Sequence, residues 1–125
     1  MYSAEASANP VSIATLPTPT EEDFCAKGAK FGPHNLHENR PGLFQSERLI
    51  FATWYNAGLR VFDITNPFEP RPAGFALPAA PEQMIDKRPG AEKVIQSCDV
   101  CVDRNGLTYL SDTNAGLSIL QFDGD

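Results

Sequence analysis

The stretch 49-LIFATWYNAGLRVFDI-64 decides the fold, because the chain carries it a second time as 107-LTYLSDTNAGLSILQF-122, at an offset of 58 residues. Asn56-Ala57-Gly58-Leu59 recurs as Asn114-Ala115-Gly116-Leu117, and Leu49, Phe51 and Val61 recur as Leu107, Tyr109 and Ile119. Each block is an apolar run, a turn carrying Asn and Gly, and a second apolar run. That pattern predicts a β-hairpin, with Gly58 and Gly116 in the left-handed conformation that a side chain disfavours. A duplication of this period points to a repeat architecture.

Two further matches extend the repeat. The run 10-PVSIATLPTP-19 parallels 70-PRPAGFALPAAP-81, each a proline, a short mostly apolar run and a proline-broken exit that suits an outer strand. The run 31-FGPHNLHE-38 parallels 95-IQSCDVCV-102 at an offset of 64, and both lead into the hairpin blocks. Strands are therefore expected at 11–16, 34–38, 49–54, 59–64, 72–77, 98–102, 107–111 and 117–122. Irregular stretches fill 17–33 and 78–94. Asn105-Gly106 adds a two-residue hairpin signal before the second block.

The implied class is all-β: about two four-stranded antiparallel blades of a β-propeller, either partial or closed into a ring by oligomerisation. Residues 10–19 would be the outer strand of a preceding blade, 31–81 one full blade, and 95–122 three strands of the next. An antiparallel sandwich is the rival architecture, and it leaves the duplication unexplained.

The composition agrees with one small β-rich unit of 125 residues, in which 11 prolines and 9 glycines punctuate the apolar runs. A net charge of −6 argues against nucleic-acid and anionic-membrane partners, which want a basic patch. No apolar run is long enough to span a bilayer. The opening MYSAEASANP lacks the basic-then-apolar order of a signal peptide. Cys25, Cys98 and Cys101 then suggest a reducing, cytoplasmic setting rather than a disulfide framework.

The stretch 62-FDITNPFEPRPAGF-75 resembles the signature of the LVIVD-repeat proteins, in which a strand ending in D-I-[ST]-[ND]-P turns into the next strand. The runs 23-DFCAKGAKFGPHNLHENRPG-42 and 98-CDVCVDRNGLTYLSDTNAGLSIL-120 are similar to the last part of those longer chains, so the likeness spans about residues 10–122. The resemblance implies a β-propeller whose usual member is several times longer, and it implies little about activity. A more distant likeness to selenium-binding, methanethiol-oxidase-type propellers is an analogy of fold. Two blades leave open edges, so the missing blades or other copies of the chain are the expected partners. Head-to-tail association would let residues 11–16 of one copy complete the last sheet of its neighbour.

Chemistry is concentrated in 32-GPHNLHENR-40, which holds both histidines of the chain. His34, His37 and Glu38 are candidate ligands for a divalent transition metal at a channel mouth. The spacing matches no zinc-protease motif. On a strand, His34 and Glu38 would face one way and His37, with Asn35 and Asn39, the other, so further ligands must come from elsewhere. The competing reading has these groups hydrogen-bonding between inner strands. Cys98 and Cys101 form C-x-x-C at the positions matching His34 and His37. Small buried core cysteines are the favoured reading, and a composite site of Cys25, Cys98, Cys101 and a histidine is the alternative.

Asn35, Asn39, Arg40, Trp54 and Tyr55 are candidate binding residues. Arg60 is expected to point to solvent or to a carboxylate, and Asp99, Asp103, Asp112 and Asp123 to serve turns and strand ends. No nucleophile elbow, glycine-rich phosphate loop or calcium loop is present. Three functions fit: a ligand- or partner-binding and assembly module using loops 17–33 and 78–94, a metal-assisted enzyme built on His34, His37 and Glu38, or a subunit inactive without other copies.

Overall fold

A computed structural model describes residues 8–124, and it is all-β. The strands are β1 (Leu49–Thr53), β2 (Leu59–Asp63), β3 (Arg71–Ala76), β4 (Ser97–Val102), β5 (Leu107–Asp112) and β6 (Gly116–Gln121). They form two three-stranded antiparallel sheets, ordered β1-β2-β3 and β4-β5-β6. Each matches an expected strand to within about two residues. Gly58 and Gly116 adopt φ of 73° and 89°, the left-handed turn positions the repeat requires.

The duplication extends to the hydrogen-bond register. Leu49 opposes Asp63, Phe51 opposes Val61 and Thr53 opposes Leu59. Adding the 58-residue offset gives Leu107 opposite Gln121, Tyr109 opposite Ile119 and Ser111 opposite Leu117, all of which are observed. Because one slipped residue would turn every side chain to the other face, this agreement means that equivalent residues occupy equivalent faces.

The two sheets stack front to back. Phe51, Leu59 and Val61, on the front of the first sheet, bury against Val100, Val102 and Leu110. Those three share the back of the second sheet, since Val100 opposes Leu110 while Cys101 opposes Tyr109 on the front. A pair of sheets related by a two-fold axis would bring like faces together. Here unlike faces meet, as in successive units of a repeat.

The back of the first sheet is closed by the first insertion, where Phe24 packs with Ala52, Trp54, Ala57 and Phe62. Arg60 lies on that face and is only 3% exposed. Its guanidinium sits between the rings of Phe24 and Phe75, 5.2 and 4.9 Å from their centroids. Its Nε–H donates to the Ala57 carbonyl at 2.9 Å and Nη1 to the Glu21 carboxylate at 2.9 Å. Burial lowers the Arg60 pKa, and the bond to Glu21 opposes that pull. Burial pushes the Glu21 carboxyl up, but a backbone hydrogen bond at Glu21 and the Arg60 contact outweigh it and hold the group below its ordinary value. The carboxylate expected for Arg60 is found, and the solvent exposure is not.

The signature asparagines fasten the insertions. Asn56 Nδ2 donates to the carbonyls of Phe24 and Gly28 at 2.8 and 3.0 Å, and Asn114 Nδ2 donates to that of Val94 at 2.8 Å. The turn residue of each hairpin thus anchors the irregular stretch that precedes an inner segment. Asp103 and Asp112 hold turns as expected, each accepting two backbone N–H bonds through Oδ1. The connection around Asn105-Gly106 is longer than a two-residue turn: Val102 is the last residue of β4 and Leu107 the first of β5.

The four-stranded expectation is corrected at two places. Residues 11–16 form no strand, having no neighbouring strand to pair with among the described residues. Residues 34–38 are bonded to β1 without forming a regular ladder. His34 N–H and His37 N–H donate to Thr53 and Phe51 carbonyls, each at 2.9 Å, and Thr53 N–H donates to Asn35. The ladder breaks because the Thr53 hydroxyl, not its carbonyl, takes the Asn35 N–H at 2.9 Å.

The repeat-equivalent glycines differ in what surrounds them. A Cβ on Gly58 would lie 2.3 Å from the Ala76 carbonyl oxygen on β3, whereas on Gly116 it would meet only Ile85 at 3.7 Å. Gly116→Ala should cost about 1–2 kcal/mol, the left-handed penalty alone, and Gly58→Ala clearly more, roughly 3 kcal/mol or above. Urea unfolding of the two variants checks this; equal losses would contradict the placement of β3.

Candidate functional site: the cleft where both insertions meet

The site begins with a bulge. The β4–β5 register shifts between Ser97 and Asp99, leaving Cys98 as the extra residue. In a regular strand successive carbonyls point to opposite edges; the bulge lets two successive ones face the first sheet. Ser97 exchanges backbone bonds with Tyr55, N–H to carbonyl in both directions at 3.0 and 3.1 Å. The Cys98 carbonyl accepts from His34 Nδ1 at 2.6 Å and from the Thr53 hydroxyl at 3.1 Å.

Further along the same edge, Val102 N–H donates to His37 Nδ1 at 3.1 Å, and His37 Nε2 donates to the Phe44 carbonyl at 2.8 Å. Both ring nitrogens of His37 are therefore committed to backbone. His34 has only Nδ1 committed. Its Nε2 has no hydrogen-bond partner among the described residues, and His34 lines two adjoining clefts.

The larger cleft, of about 750 Å³, is walled by both insertions, Ala29 and Lys30 from the first and Asp86, Arg88, Gly90, Ala91 and Glu92 from the second. His34, Tyr55, Gln96, Cys98, Thr113 and Asn114 complete it. Gln96 acts as a surrogate strand: its Oε1 accepts the Lys30 N–H at 3.1 Å and its Nε2 donates to the Lys30 carbonyl at 3.0 Å. The Lys30 ammonium stands 5.3 Å from the Tyr55 ring centroid, and the His34 ring meets Tyr55 edge-on at 4.9 Å. Asp86 and Arg88 bind each other at the rim; the side-chain and backbone bonds from Arg88 hold the Asp86 carboxyl down at about 2.

Tyr55 and Ala29 have φ of 43° and 57°, the only non-glycine residues in the left-handed region among those described, and both line this cleft. Such backbone costs about 1–2 kcal/mol per residue and persists where the surroundings over-determine it. For Tyr55 the reciprocal pair of backbone hydrogen bonds with Ser97 does so.

The residues expected to bind metal do not converge. Glu38 is exposed and paired with Arg40, whose Nε donates to it at 2.6 Å. Among the described residues no three His, Cys, Asp or Glu side chains are gathered as ligands would be. Cys98 and Cys101 are not the buried core residues expected. Cys25 and Cys101 are exposed, and Cys98 is half-buried with Sγ against Ser111. The alternation of β4 gives the core side to Val100 and Val102 and turns Cys101 outward. Cys98 lines the larger cleft and Cys101 the smaller one, so the C-x-x-C pair is split between them.

Of the candidate binding residues, Tyr55 alone reaches the larger cleft. Asn35 and Arg40 line the smaller one. Asn39 bonds Ser46 in both directions and ties off a loop. Trp54 is buried against Phe62 and is a core residue. Lys30, Gln96 and Arg88 were not singled out from the sequence: Lys30 and Arg88 enter the cleft only through the paths of the insertions, and Gln96, though inside the repeated segment 95–102, acts through its bonds to the Lys30 backbone.

Compared with known proteins, the chain matches no family model, no curated protein and no solved structure.

The two histidines should respond differently to removal. His37→Ala strands a half-buried N–H and a carbonyl and should cost about 2 kcal/mol in urea unfolding. His34→Ala loses one exposed bond and should cost about 0.5–1 kcal/mol. An undiminished midpoint for His37→Ala would contradict the bracing role.

Proposed function

We propose that the chain is a segment of a β-propeller of the LVIVD-repeat type and that it acts as a ligand-binding module through the larger cleft. The repeated register and the front-to-back stacking support the blade reading. One observation carries the ligand reading: two insertions, held by equivalent asparagines, converge on a single cleft lined by both left-handed non-glycine residues. Loops positioned by a rigid scaffold are where binding function concentrates.

The charged groups on the wall are the mutually bonded Asp86 and Arg88, then Lys30 and Glu92; for the Lys30 side of the cleft the proposed ligand class is a small carboxylate bearing a planar ring. Lys30 has no ion pair among the described residues and lies against an aromatic face, and the exposed edge of His34 adds a polar contact. A second reading, metal-assisted catalysis, retains one observation in its favour. His34 Nδ1 is fixed by a carbonyl, which orients the unpaired Nε2 as a ligand or base in the way second-shell bonds do at metal centres.

Titration of the labelled protein with benzoate, followed by amide NMR, tests the first reading. Saturable shifts at Lys30, Tyr55 and Gln96, weakened about tenfold by Lys30→Met, are expected. Shifts that do not saturate, or that survive Lys30→Met unchanged, would contradict it. A parallel titration with zinc that saturates at one equivalent and depends on His34 would favour the second reading instead.

A further inference from the structure

The outer edge of β6 carries no strand among the described residues, while the equivalent edge of β2 is covered by β3. The chain contains a second segment written like β3. β3 itself has a bulge: Val61 opposes Gly74 and Phe62 opposes Pro72, so Ala73 is the extra residue. With Ala73 left out, 70-PRPGFALP-78 and 10-PVSIATLP-17 align end to end, proline on proline at both ends and Leu16 on Leu77.

The β2–β3 register, carried over by this alignment and by the 58-residue offset, dictates one pairing for β6. Leu117 would oppose Thr15, Ile119 would oppose Ile13 and Gln121 would oppose Val11. The four aliphatic side chains that this register brings together are all exposed. Val11 and Ile13 are 79% and 55% exposed, and Leu117 and Ile119 are 62% and 59% exposed. The pairing places all four on one face, the front of the second sheet. A slip by one residue would put Val11 and Ile13 on the opposite face from Leu117 and Ile119.

We propose that the edge of β6 takes residues 11–15 of a second copy of this chain as an added antiparallel strand in that register. This rests on the blade reading above and is independent of the cleft. Main-chain bonds along the open edge supply affinity, and the alternating aliphatic side chains fix the register. The donor segment is free to pair, since Val11 and Ile13 are exposed and 11–16 form no strand within their own copy.

The test begins with native mass of the unaltered protein from ~1 µM to ~1 mM, a span that covers weak as well as tight association. Concentration-dependent assembly is expected, and a monomer throughout overturns the inference. Ile13→Pro removes one ladder donor from a segment with no strand partner in its own copy, and should weaken assembly about tenfold or more. Assembly unaffected by it overturns the inference.

Register is read by mixing chains that each carry one introduced cysteine, with Cys25, Cys98 and Cys101 replaced by serine, and adding a short bis-maleimide. Ile13→Cys with Ile119→Cys, and Ala14→Cys with Ser118→Cys, should link between copies; Ile13→Cys with Ser118→Cys should not. Links in the third pair but not the first two, or links forming within one copy of a doubly substituted chain, overturn the inference. Hydrogen exchange on the dilute protein reports the blade reading separately. Slow ladder amides in β1–β3 and β4–β6 retain it, and fast exchange throughout β3 or β4 removes it whatever the crosslinks show.

Discussion

The inner edge of β4 is the constraint on which the rest of the structure depends. It presents backbone groups toward the first sheet, and no complete strand among the described residues covers them. They are met instead by the backbone of Tyr55, the hydroxyl of Thr53 and the rings of His34 and His37. Buried or half-buried peptide groups left unpaired would cost about 1–3 kcal/mol each, so this set of substitutes determines how the two sheets sit against one another. It fixes Tyr55 in its left-handed conformation, draws 34–37 off a regular ladder, and opens the cleft beside Cys98.

Front-to-back stacking follows from the same contact. Once β4 lies along 34–37, the back of the second sheet covers the front of the first, and Phe51, Leu59 and Val61 meet Val100, Val102 and Leu110. The ends of the stack are unlike. One is sealed by Phe24 and the Arg60–Glu21 clasp; the other leaves Leu117 and Ile119 in solvent. A stack with one closed and one open end is directional, which is what a repeat requires of its units.

Much of the fold was legible because it rests on local signals. The hairpins, their glycine turns and β3 follow from alternation and punctuation that act over a few residues, and the duplication doubled each signal. The site was much less legible. The histidines of GPHNLHENR were visible as polar residues in an inner segment, but their partners are the carbonyl of Cys98, the N–H of Val102 and the carbonyl of Phe44, which no side-chain pattern reveals. The bulge at Cys98 has no sequence signature. The strand alternation assumed for 34–38 failed because one threonine hydroxyl competed with a backbone carbonyl. Arg60 on the covered face reads as a surface residue until Phe24, Phe75 and Glu21 are brought around it from distant positions.

The central claim is that both histidines brace β4 through Nδ1, His34 as a donor and His37 as an acceptor. Accepting from Val102 N–H obliges His37 to carry its proton on Nε2, while donation to the Cys98 carbonyl obliges His34 to carry its proton on Nδ1. Nitrogen-15 NMR of the two rings in their neutral form distinguishes these tautomers directly. The account predicts opposite tautomers, Nδ1–H for His34 and Nε2–H for His37, with a slowly exchanging Nε2 proton on His37. The same tautomer in both rings, or the averaged shifts of freely exchanging imidazoles, would contradict it.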